Sequence, residues 1–228
     1  MLNRLSMARV LARVPACLLA ILLFAVAGGQ AASAASFVDP ALGDVTPEKR
    51  VVVAQPKPVQ LLFTFETNGK LNARATDFVK KDVLAAVKNT GAFSEVSEKP
   101  VDGGAVLSIT LDNVFDLQKA KSDGVAIGLT FGLKGKLLTD DYVVVGEFIP
   151  DLAGAKITRT VKHQIHTTIG RASLPEGVKG VKTPEAVSIM VRQTVENLVN
   201  QLAADPGFAP QPPAAAAPAP ATATVAQP

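Results

Sequence analysis

The chain has 228 residues, 48% hydrophobic, 19% charged and 5% aromatic, with a formal net charge of +3 and a pI near 9.0. So few charges exclude a disordered polyelectrolyte, and the single cysteine excludes a disulfide framework and a Cys-based zinc site. With no Trp and one Tyr, an aromatic platform for stacking bases or sugars is not expected.

The N-terminus comes first. Residues 1–13 hold Arg4, Arg9 and Arg13 and no acid, and Val14 to Gly29 is an uncharged run of 16 residues. Small residues follow, including Ala32-Ser33-Ala34. A basic start, an apolar middle and an A-x-A site predict a signal peptide over residues 1–34, cut near Ala34/Ala35. The alternative is a retained anchor, but the run is short for a spanning helix of about 20 residues. Cys17 precedes most of the apolar run, whereas a lipidated cysteine follows it. The mature chain is therefore expected to carry no lipid and no stable membrane anchor. Removing the three signal arginines from the 23 basic residues leaves 20, equal to the 20 acids. Bulk charge then gives no reason to expect nucleic acid or anionic lipid as a partner.

Residues 35–50 read as a loose, Pro-containing leader, and 51–206 as a single domain. Val51–Val53 and Val59–Phe65 are strand-like, the second run apolar enough for a strand buried on both faces. Thr67–Lys70 is a turn. A helix is predicted from about Asn72 to Thr90, stopped by Gly91, with Ala75, Phe78, Val79, Val83, Ala86 and Val87 on its apolar face. Phe93 and Val96 mark a short strand. Ala105–Val114 alternates with period two. Asp116–Gly124 is a polar loop, and Val125–Leu133 alternates again. Thr139-Asp140-Asp141 predicts a hairpin turn into Tyr142–Ile149, and a last strand spans about Lys156–Ile169. After a Gly170–Lys182 loop, Thr183-Pro184-Glu185 opens a helix with Thr183 as cap, Pro184 at its first position and an acid in its first turn. Its stripe is Val187, Met190, Val191, Thr194, Val195, Leu198, Val199 and Leu202. Residues 207–228, rich in Ala and Pro, read as a disordered tail. The order predicts an α+β fold: a mainly antiparallel sheet of five to six strands with two helices on one face.

Few residues point to chemistry. His163 and His166 lie three apart in a strand and so face opposite sides, which argues against a shared metal. Gly128–Lys136 resembles a phosphate loop, but Thr130 and Leu137 stand where that motif needs Gly and Ser/Thr. No G-x-S-x-G is present, and the only cysteine lies in the signal. Catalytic residues, metal and cofactor are accordingly not assigned. The small face at Gly128 and Gly132 would suit either a close-packed helix or a shallow groove for an apolar ligand. Two loops suit partner binding: Gly170–Lys182, with Arg171, Lys179 and Lys182, and Asp116–Gly124, with Lys119 and Lys121.

The stretch Phe78–Phe93, ending T-G-A-F and followed by S-E-V and the Leu107–Val114 strand, resembles a pattern of bacterial envelope accessory proteins. These include the TolB amino-terminal domain, LpoB-type and CsgG-type proteins, and transport-auxiliary lipoproteins. The resemblance covers about residues 59–204. It implies a non-enzymatic periplasmic module that docks on an envelope protein partner in an assembly or transport system. The chain departs from that group in lacking a lipid-bearing cysteine, and no functional residue is carried over. A binding protein or sensor for an apolar small molecule is the alternative, and a hydrolase a third reading.

Overall fold

The computed structural model describes residues 34–115, 135–151 and 155–209. Seven strands form one sheet: β1 (Ser36–Val38), β2 (Pro58–Thr67), β3 (Lys70–Leu71), β4 (Glu95–Ser97), β5 (Ala105–Val114), β6 (Lys136–Ile149) and β7 (Ile157–Ile169). The strand order is β1-β7-β6-β5-β2-β3, and β4 also pairs with β2. Among the described residues only the β2–β5 and β2–β4 pairings are parallel; the others are antiparallel. Two helices, α1 (Ala73–Asn89) and α2 (Thr183–Ala203), pack on one face and touch each other. The expected α+β architecture is therefore the observed one. Among the described residues, no helix is long and apolar enough to cross a membrane.

Alternation decides which face is buried. Ala105, Leu107, Ile109 and Leu111 of β5 point at the helices, as do Tyr142, Val144 and Phe148 of β6 and Ile157, Val161 and Ile165 of β7. Val79, Val83, Ala86 and Val87 of α1 meet Val59, Leu61 and Phe65 of β2 in the same core. Gly146 of β6 lies under α2. A Cβ there would stand 2.7 Å from a Leu198 methyl, so the missing side chain sets how closely the helix approaches. Beyond it, Phe93, Phe148 and Phe208 form an aromatic cluster, with the Phe148 and Phe208 rings 4.4 Å apart.

Local signals set the helix ends. Asn72 caps α1 by accepting the Ala75 N–H at 3.0 Å. Gly91 follows in the left-handed region at φ +68°, as a helix stop requires. The cap of α2 is Lys182, one residue earlier than expected, and it caps through no side-chain bond. The hydroxyl of Thr183 is instead bound to Ser36.

Five further expectations need correction. The leader is partly built into the fold: Ser36 and Phe37 are buried, and β1 pairs with β7. Val51–Val53 form no strand. Leu62 of β2 is 45% exposed, because α1 and α2 lie on the opposite face of the sheet. Phe78 is 65% exposed, lying about 100° round α1 from Val79 and off the narrow buried stripe. Thr139–Asp141 make no turn, since β6 pairs with β7 without a break from Lys136↔Ile169 to Phe148↔Ile157. Thr and Asp favour turns locally, but thirteen paired residues on the neighbouring strand outweigh that preference.

Candidate functional site

The loop between β7 and α2 is held on a rigid frame. Gly170 and Gly177 take φ of +64° and +76°, which lets the chain turn twice. The loop then returns to the sheet at Val181. Its N–H donates to the Ser36 carbonyl at 2.7 Å, and its carbonyl accepts the Ser36 N–H at 2.9 Å. β1 is thus flanked by β7 on one side and by the loop on the other. The fully buried Ser36 hydroxyl bonds Thr167 and Thr183, both at 2.9 Å. Gly180 packs where a Cβ would sit 2.8 Å from the Ala35 methyl.

Arg171, Lys179 and Lys182 are all exposed on this loop. No ion pair or hydrogen bond of their side chains is found among the described residues. Lys179 edges a groove of about 420 Å³ between the loop, the chain leaving β1 and α2, lined also by Asp39, Asp44, Val178, Ile189 and Gln193. A second groove, of about 370 Å³, is lined by Leu42, Val114, Tyr142, Val143, Lys162 and His163 among others. The remaining candidates from the sequence, Lys119, Lys121, Gly128 and Gly132, lie outside the described residues, as does the expected Val125–Leu133 strand.

Polar groups organise the wall of the first groove. Asp44 accepts Gln193 Nε2 at 2.8 Å and pairs with Arg192, also at 2.8 Å. Burial raises its pKa, but the bonds from Gln193 and Arg192 outweigh this and hold the carboxyl below its ordinary range. The other end of the Gln193 amide meets His163 Nε2 at 2.8 Å. With Gln193 Nε2 committed to Asp44, the amide oxygen faces His163, so the neutral imidazole donates through Nε2. Burial lowers the His163 pKa, an effect that Gln193 and Asp39 oppose and His166 reinforces.

His166 faces the other way, as its parity requires. Its Nδ1 lies 2.9 Å from Thr139 Oγ1, its Nε2 is 3.7 Å from Asp39, and its ring packs on Phe37 at 4.9 Å. The two histidines do not converge. Among the described residues no cluster of three or more His, Cys, Asp or Glu could hold a metal. Asp140 has a raised pKa from burial and from Asp141. Tyr142 is pushed up to about 12 by burial and by Asp140.

Sequence reading found the loop cations but missed Ser36, Asp44, Arg192 and Gln193. The Ser36 hydroxyl finds its partners 131 and 147 residues away, and Asp44 and Gln193 meet across 149, beyond the reach of any local pattern. The one available hint was that Thr183 and Ser36 are hydroxyl residues of the kind that cap or cross-link segments.

No family model matches the chain, and no curated protein matches it. Among solved structures it is similar to the PelC dodecamer from Paraburkholderia phytofirmans, at 12% identity, with 65% of this chain and 90% of that one covered and a TM-score of 0.31. A single-substitution variant of that dodecamer gives 13%, 65%, 92% and 0.31. The structure of an uncharacterized protein gives 11%, 64%, 87% and 0.28. At such scores neither fold nor function passes from those proteins to this one.

Proposed function

We propose that the chain is an exported, non-enzymatic interaction module of the periplasm, accessory to an envelope assembly or transport system. The observation that carries this reading is the loop of residues 170–182. Three exposed cations, Arg171, Lys179 and Lys182, have no ion partner among the described residues and stand on a segment stitched to the sheet at Val181. A loop whose backbone is pinned at Val181 needs little backbone ordering to dock, and its charges steer a complementary partner toward it. The complementary surface on an envelope protein would be an acidic segment. The signal-peptide pattern of residues 1–34 supports the compartment.

The test is photo-crosslinking in intact cells from a reactive residue at position 179, with a probe on the far helix end at Gln201 as control. Capture of one envelope protein at 179, lost in an R171E/K182E variant and absent from Gln201, is the expected result. Capture of nothing, or the same proteins from both positions, sinks the proposal.

The groove beside Tyr142 favours a second reading, the binding of an apolar small molecule. Leu42, Val114 and Val143 give it apolar walls, and Tyr142 and His163 add polar edges. Native mass spectrometry of the purified protein separates the two: a co-purifying ligand favours the groove, and a bare mass removes it.

A further inference from the structure

The geometry points to the Ala34–Ala35 peptide bond as a processing site that must be cut before β1 docks, so that the new α-amino group of Ala35 starts the edge strand. This rests on the export reading above and adds an order of events to it. Ala34 is exposed, Ala35 is partly buried and Ser36 is fully buried. The expected cut therefore falls between an exposed residue and one already seated on the sheet.

An endopeptidase binds its substrate as an extended strand and hydrogen-bonds the backbone on both sides of the scissile bond. On the far side of this bond the backbone is already committed. The Ala35 N–H donates to Thr168 Oγ1 at 3.0 Å, and the Ala35 carbonyl accepts the Thr168 N–H at 2.9 Å and the Thr168 hydroxyl at 3.1 Å. Both backbone groups of Ser36 are held by Val181, and its hydroxyl by Thr167 and Thr183. A docked β1 thus denies the protease the first two residues after the cut. The loop also lies close against this residue, since a Cβ on Gly180 would stand 2.8 Å from the Ala35 methyl.

The reaction is a hydrolysis. One water adds across the bond, leaving a carboxylate on Ala34 and an ammonium on Ala35. That ammonium keeps Thr168 Oγ1 as an acceptor and turns its other protons to solvent. Docking after cleavage then buries Ser36 and completes the sheet edge.

The test uses the full-length precursor in mild detergent with a purified signal peptidase. One sample is folded, and the other is held unfolded in a urea concentration the peptidase tolerates. The unfolded precursor should be cut, giving a mature N-terminus at Ala35. The folded precursor should be cut at least about tenfold more slowly, since cleavage then follows the rare undocked strand. A V181P variant, which lacks the N–H that holds the Ser36 carbonyl, should regain most of the rate while its circular dichroism stays native. If that variant does not fold, the wild-type pair of samples still decides. Equal rates in the folded and unfolded wild type overturn the order of events, and a terminus elsewhere than Ala35 overturns the site. If neither sample is cut at all, the export reading itself falls.

Discussion

Gly146 shows how much a single hydrogen atom can determine. With a Leu198 methyl 2.7 Å from where its Cβ would stand, Gly146→Ala forces α2 outward or Leu198 into a poor rotamer. Overpacking of this kind costs roughly 1–3 kcal/mol, which urea denaturation should register as a lower midpoint with an unchanged slope. The sequence offers no warning, because Gly146 sits in a run of Val residues and reads as an ordinary strand position. The glycines that do attract notice there, Gly128 and Gly132, are singled out by the same physical rule applied elsewhere.

His163 makes the second residue-scale case. Its imidazole is buried against Gln193, and its pKa is held below the ordinary 6.5. The unfolded chain therefore takes up this proton at a higher pH than the folded one. Stability from this group is full above about pH 6.5 and is lost as pH falls toward the folded value. Urea midpoints at pH 7.5 and 5.5 should show the loss. A His163→Gln variant, which keeps a donor for Gln193 but cannot titrate, should show a smaller one. An equal loss in both would mean that His163 does not carry the acid response.

At the scale of elements, α1 depends on its cap and α2 on its contacts. Asn72→Ala removes the bond to the Ala75 N–H and should cost about 1 kcal/mol of stability. A thermal melt would give the size. For α2 the cap contributes no side-chain bond, so replacing Lys182 by Ala should leave the melt nearly unchanged. The strands divide in the same way. Ala105–Val114 is legible because one buried face gives a clean period of two. Lys136–Asp141 is not, because its residues favour turns and only pairing with Gln164–Ile169 makes them a strand. β1 is three residues long and carries no pattern at all.

Over the whole described molecule, Phe208 ties the end of the domain to its middle. It lies after α2, yet it stacks on Phe148 of β6 and meets Phe93, which follows α1. Phe208→Ala should cost about 3 kcal/mol or more, through lost burial and the cavity left behind. A variant with native stability would show that the cluster collapses around the gap. At the other end of the chain, β1 covers the edge of β7 that would otherwise lie open to pairing. Both chain ends of the domain are therefore structural, although composition makes one look like a leader and the other like the start of a tail.

The class of fold, the helix positions and the buried face of β5 and β7 can all be read from the linear chain. Each follows from the spacing of apolar side chains within one segment, and spacing survives in a string of letters. The same string marks Arg171, Lys179 and Lys182 as a basic loop. Three further facts exist only in the folded chain: this loop is pinned to Ser36, Asp44, Gln193 and His163 form one chain of bonds, and the expected cleavage bond borders a strand. Each depends on a pair more than 100 residues apart meeting at hydrogen-bond distance: Ser36 with Val181, Asp44 with Gln193, and Ala35 with Thr168. No local pattern encodes such meetings, because they are fixed by the register of β1 on β7 and by the path of the whole chain.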